Sequence, residues 1–230
     1  MLLAELVEIA RAVAETSSRN AKVSFMAGLL QRAEPGQIEA AVGYLAGEPR
    51  QGRIGVGWAT AYRQDVAPAA VPSLTIAELD DAMTRILATT GPGSVGSRGE
   101  ILASIFSRAT TDEADYIRRL FTGEMRQGAL DGVVTEAVAR AAEVPAAAVR
   151  RAVMLTGDLG RSAVVALTAG LEGLGAIGLE LLRPLQPMLA SIAKDVTEAL
   201  AATGPASVEW KLDGIRIQAH RAGGEVRLYA

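Results

Sequence analysis

The chain has 230 residues, a net charge of −3 and no cysteine, and half of its residues are hydrophobic. The missing thiols exclude disulfides and thiolate metal cages. A single histidine, His220, argues against zinc sites and Ser-His triads, and the acidic balance argues against a binder that grips nucleic acid by bulk positive charge.

Aromatic residues are only 4% of the chain, so the core is expected to be helix against helix, and the length allows one large or two smaller units. The opening run of apolar residues is interrupted by Glu5 and Glu8 and reads as a helix rather than a signal peptide. Leu2, Leu3, Leu6, Ile9, Ala10 and Val13 recur with helical period, as do Val23, Met26, Leu29 and Leu30. Pro35-Gly36 then interrupts and restarts the chain. Three later helix starts carry capping-box spacing: Thr75 with Glu78, Ser97 with Glu100, and Thr110 with Glu113. Two stretches rich in Gly and Pro, 46–57 and 89–99, lack periodicity and read as loops.

Ser162 to Leu182 is apolar over a membrane-spanning length. Glu172 lies in its middle, however, and Gly170, Gly173, Gly175 and Gly178 weaken a continuous helix. A buried helix followed by a glycine-rich connection is expected, with no membrane partner. The missing cysteines fit an intracellular, cytoplasmic setting.

Pro184 and Pro187 mark a linker. After Gly204-Pro205 the period becomes two: Val208, Trp210 and Leu212 alternate with Ser207, Glu209 and Lys211. Asp213-Gly214 is a turn signal, Ile215, Ile217 and Ala219 alternate again, and Gly223-Gly224 turns into a last short strand. This is the opening of a β-meander, marginal by itself in water. The expected organisation is a helical domain over 1–182, a linker over 183–206 and a β segment over 207–230.

The segment Glu209 to Arg216 carries the most suggestive chemistry. A lysine becomes a nucleophile once burial or a neighbouring cation lowers its pKa, and alternation places Lys211 and Glu209 on one strand face. Arg216 offers a donor fork suited to phosphate or ribose. Spacing alone favours a plainer reading, the solvated face of a half-buried strand closed by an ordinary Asp-Gly turn.

The residues Lys211-Leu212-Asp213-Gly214-Ile215-Arg216 resemble the K-x-D-G-x-R signature of covalent nucleotidyltransferases. Arg183 to Ala190 resembles the approach to the adenylation domain of ATP-dependent DNA ligases. Gly123 to Leu130 resembles the G-x-x-R-x-G turn of the helical DNA-binding domain that precedes it. The three occur in that family's order, and the resemblance covers essentially the whole chain. It implies a mainly α fold: an all-helical DNA-binding domain followed by the first β-strands of a nucleotidyltransferase domain.

The resemblance also implies roles. Lys211 would attack the α-phosphate of ATP to form lysyl-AMP, Glu209 would contact the adenine amino group, and Arg216 would hold the ribose or phosphate end. Asp213 would shape the site, and a divalent metal, usually magnesium, would neutralise charge without a metal ligand assigned in this chain. Gly123, Arg126 and Gly128 would approach the backbone of nicked double-stranded DNA, with no obligate protein partner. From the residues alone, Gly123 reads as a helix cap and Arg126 as a solvated side chain.

From Arg118 to Met154 six arginines face four acidic residues, a locally basic stretch in which Arg150, Arg151 and Arg161 are further candidates for phosphate contacts. The family's later motifs lie beyond Ala230, so the chain reads as the N-terminal part of a ligase, not expected to seal nicks as it stands. Two other readings remain: a non-catalytic helical DNA-binding or protein-docking module, and another nucleotidyltransferase such as an RNA ligase.

Overall fold

The structure is a computed structural model, and it describes residues 1–63, 66–125, 131–187, 192–210 and 213–230. The first helix, α1 (Leu3–Glu15), buries Leu3, Leu6, Ala10 and Val13 of the expected stripe, whereas Ile9 is half-buried and Leu2, the residue before the helix, is exposed. In α2 (Arg19–Leu30), Val23, Met26, Leu29 and Leu30 all turn inward. Pro35–Gln37 forms a single 3₁₀ turn, and α3 (Ile38–Ala46) follows, buried on nearly every side. This helix is the central post of the body.

A short helix α4 (Trp58–Tyr62) comes next, then α5 (Ile76–Ala88), α6 (Ser94–Phe106) and α7 (Thr111–Thr122). Thr75 and Thr110 cap α5 and α7 by the reciprocal hydroxyl–carboxylate arrangement that their spacing requires. Extended backbone near the N-terminus is tied to the start of α5, Leu3 N–H donating to Leu74 O at 2.8 Å and Ile76 N–H to Met1 O at 3.2 Å. The body closes with α8 (Asp131–Ala141), α9 (Ala146–Thr156) and α10 (Leu159–Ala176). Helix α8 lies along α2, and α10 lies against α9 and α3.

Two expectations about helix limits are corrected. Ser97 does not cap a helix: α6 already begins at Ser94 behind Gly93, so the glycine-rich stretch 89–99 is loop only in its first half. Glycine lowers helix propensity without forbidding helix, and Leu102, Ile105 and Phe106 anchor α6 in the core. Similarly, α10 runs on through Gly173 and Gly175, with a break in backbone geometry at Gly170 (φ 59°, ψ −149°). Its buried residues are confined to Ser162, Ala163, Ala166 and Leu174, so it is half-exposed rather than buried. No helix among the described residues is long and apolar enough to cross a membrane.

Beyond α10 the chain runs without regular structure to Pro187, followed later by α11 (Val196–Thr203) and a hairpin of β1 (Gln218–Ala222) and β2 (Glu225–Tyr229). The hairpin is antiparallel, Gln218 opposite Tyr229 and Ala222 opposite Glu225, with Gly223-Gly224 at the turn as expected. An earlier strand was expected over 207–212, but the described part, 207–210, forms no ladder. Alternation supplies a strand's faces, whereas a strand also needs a hydrogen-bonding neighbour, and the hairpin does not extend to it. The fold is mainly α with the short β element at the end.

The hairpin is fastened to the preceding segment. The Gln218 side chain both accepts from Leu185 N–H (2.9 Å) and donates to Leu185 O (2.6 Å), and Tyr229 O–H donates to Leu182 O. Gln186 N–H in turn donates to Met154 O on α9 at 3.1 Å.

Candidate functional site

A cleft with a volume of about 1640 Å³ opens on the helical body. Its walls are the ends of helices. Gly47, Gly123 and Gly157 terminate α3, α7 and α9, and all three line it. Gly123 has φ 73°, the left-handed conformation that closes a helix, and its N–H donates to Arg119 O; the Glu124 N–H adds a second bond to the same carbonyl at 2.9 Å. The plainer reading of Gly123 as a helix cap therefore holds, and its position on the cleft holds with it. A Cβ at Gly123 would meet nothing within 4 Å, so conformation rather than space demands glycine there.

The loop between α3 and α4 also lines the cleft and is held by a polar latch. Arg50 and Gln51 both reach Asp80 on α5. The Arg50 Nε donates to the carboxylate at 2.9 and 3.0 Å, its Nη2 makes a further close ion pair, and Gln51 Nε2 donates to Asp80 Oδ1 at 2.8 Å. Hydrogen bonding to Asp80 raises the Arg50 pKa above its ordinary value. Behind the latch, Tyr116 O–H donates to Tyr44 O at 2.8 Å, while burial pushes the Tyr44 hydroxyl well above the usual phenol range. Nothing in the spacing of Arg50 and Asp80 announced this pair; a charge in the middle of the apolar face of α5 was the only signal.

At the lip of the cleft, Trp58 stacks on Tyr62 with ring centroids 4.4 Å apart and an interplanar angle of 21°. The Arg118 guanidinium lies 5.6 Å from the Tyr62 ring centroid and 5.1 Å from that of Phe106. The i, i+4 spacing of Trp58 and Tyr62 was visible in the sequence, but only the helix places both rings on one side.

The locally basic stretch does not form a one-signed patch. Arg119 pairs with Asp115, Arg140 donates to Ser24 Oγ at 2.7 Å, and Arg118 is engaged with the aromatic rings. Among the described lining residues the cleft carries four arginines (50, 53, 150 and 151) and five carboxylates (39, 48, 124, 131 and 158). Arg151 also donates to Ile177 O at 3.0 Å, and Arg161 pairs with Glu180 away from the cleft.

Of the residues singled out by sequence, Arg126, Gly128 and Lys211 lie outside the described residues. Glu209 and Arg216 are exposed, Glu209 accepting from Ser207 Oγ at 3.0 Å. The described residues of the lysine-bearing segment do not assemble a closed nucleotide pocket. Nor is there a group of three His, Asp or Glu side chains among the described residues arranged to hold a metal ion.

Comparison with known proteins decides the family. Residues 58–139 match the family model described as "DNA ligase N terminus", and residues 187–230 match "ATP dependent DNA ligase domain". The chain belongs to the ATP-dependent DNA ligase family. It is 53% identical over its whole length to a protein named "Probable DNA ligase" from Pseudarthrobacter chlorophenolicus, covering 45% of that relative. A protein of the same name from an Anaeromyxobacter species is 50% identical and also covered to 45%, and one from Rhodococcus jostii is 46% identical and covered to 46%. The chain thus spans somewhat under half the length of the curated relatives it matches. The first match ends two residues short of Ala141, the last residue of α8, and contains Gly123, Arg126 and Gly128; the second contains Glu209, Lys211 and Arg216.

Proposed function

We propose that this chain supplies the DNA-holding body and the nucleophile-bearing segment of an enzyme that seals nicks in duplex DNA with ATP. Residues 1–182 form the DNA clamp, 183–206 lead into the adenylation unit, and 207–230 begin it. The observation that carries the reading is the order of the two family matches along one chain, helical part first and lysine-bearing part second.

In this reading Lys211 Nζ attacks the α-phosphate of ATP, pyrophosphate leaves, and a lysyl-AMP phosphoramidate forms. AMP then passes to the 5′-phosphate at a nick, and the 3′-hydroxyl displaces it. Glu209 orients the adenine and Arg216 the ribose or phosphates. Gly123, Arg126 and Gly128 bring the turn after α7 against the DNA backbone, at an intracellular site of action. Magnesium or another divalent ion is expected from the family.

The mixed charge of the cleft makes this a clamp of limited electrostatic reach, sequence-independent and sensitive to salt. The test is anisotropy of a labelled nicked duplex titrated with the chain at two salt concentrations, alongside Arg126→Ala. Binding that weakens with salt and with the substitution supports the clamp. Absence of binding at low salt overturns it in favour of a docking module.

A further inference from the structure

Among the described residues lining the cleft, Trp58 is the large aromatic side chain that the fold leaves bare. It is 60% exposed, although it opens a helix whose Ala61 is fully buried beneath it. A tryptophan turned to water forfeits the burial that usually justifies its size, and exposed apolar surface of this kind marks contact sites. The ring is also held in place: Tyr62 covers one face, and the Arg118 guanidinium lies over the Tyr62 and Phe106 rings. This ladder leaves one indole face open and stiffens it.

The surroundings indicate what that face meets. Arg53 lines the same cleft and has no ion-pair partner among the described residues. Gly57 precedes the ring, and a Cβ there would meet nothing within 4 Å, so another backbone can approach closely. A cation, an open backbone and a flat apolar face together match the repeating phosphate–sugar edge of a nucleic acid.

We propose that the outer face of Trp58 packs against a deoxyribose of duplex DNA seated along the cleft, with Arg53 on the adjoining phosphate. The proposal rests on the clamp reading above. In a continuous duplex the base faces are covered by their neighbours, whereas the sugar face is open at every nucleotide. A ring already backed by Tyr62 has a single free face and lies flat rather than wedging between base pairs. The contact is therefore indifferent to sequence and to the position of the break.

The test follows the emission of Trp58 in a Trp210→Phe background, where it is the sole tryptophan, while anisotropy of the labelled duplex is read in parallel. Emission is expected to shift to the blue as water leaves the indole, with the same midpoint as the anisotropy and equally for intact and nicked duplexes. Trp58→Leu should weaken binding severalfold through the lost apolar contact, and Trp58→Phe by less, because a ring face remains. Anisotropy that rises while Trp58 emission and the Trp58→Leu affinity stay unchanged overturns the proposal and leaves the clamp standing. Strong quenching confined to nicked or gapped DNA also overturns it, since that signals stacking on an uncovered base. No anisotropy change with any duplex overturns the clamp and this contact together.

Discussion

The helical body and the segment that follows it are similarly apolar in sequence and opposite in outcome. Among the described residues every buried side chain lies at or before Leu174. After it, Val208, Trp210, Ile215 and Leu228 are exposed by 85%, 94%, 82% and 67%. The difference is one of partners. Each helix of the body sets its stripe against at least one other helix, whereas among the described residues the hairpin is a two-stranded sheet whose apolar side chains stay largely exposed. Alternation or helical period says which face is apolar; only a neighbour makes that face a core.

The widest test of this contrast is a matched pair of truncations. Leu79→Ala, at a fully buried position of α5, should destabilise the chain by about 2–5 kcal/mol in urea unfolding. Asp80→Ala comes next, at about 1–3 kcal/mol, because it leaves Arg50 and Gln51 without their shared acceptor. It should also loosen the cleft wall, read as faster hydrogen exchange across residues 47–57. Gly123→Ala forces a side chain into the left-handed region and should cost about 1 kcal/mol, with the helix α7 end fraying first.

A smaller effect separates surface pairing from packing. Hydrogen bonds from Arg108, then from the Thr75 hydroxyl and N–H, hold the Glu78 carboxyl down to about 2, against an ordinary value of 4.5. The lowered value means a stabilising contribution that is complete above pH 4.5 and is lost as pH falls toward 2. Melting curves of Glu78→Gln should therefore show a flatter acid limb than the parent over that window, with the parent the more stable at neutral pH. Because Glu78 is substantially exposed, screening keeps the difference modest and high salt should shrink it. Ile215→Ala closes the series with a change within about 0.5 kcal/mol, since its side chain buries almost nothing. A large effect at Ile215 would break the contrast between the two regions.

Legibility followed the same division. The stripes of α1 and α2, two of the three capping boxes and the Gly223-Gly224 turn could be read directly, because each is a local pattern with a local cause. Ser97 misled, since capping-box spacing also arises by chance within a helix whose start is a glycine in the left-handed region. The expected strand before Asp213 failed for want of a pairing neighbour over its described residues. The Gly123 turn was readable as a motif, but its place beside Gly47 and Gly157 was not. Those three glycines are separated by 76 and 34 residues, and only the packing of α3, α7 and α9 brings them to one cleft.

By itself, the sequence determined the helix stripes, the turn glycines and the family, since the ligase resemblance rests on ordered short motifs that no contact is needed to see. The tertiary structure decided which apolar faces became core, which arginines were tied up in ion pairs or over rings, and that Trp58 stands open on the cleft that Arg53 also lines. The physical reason is that propensity and capping act over one helical turn, while burial, charge pairing and exposure depend on neighbours supplied by distant parts of the chain.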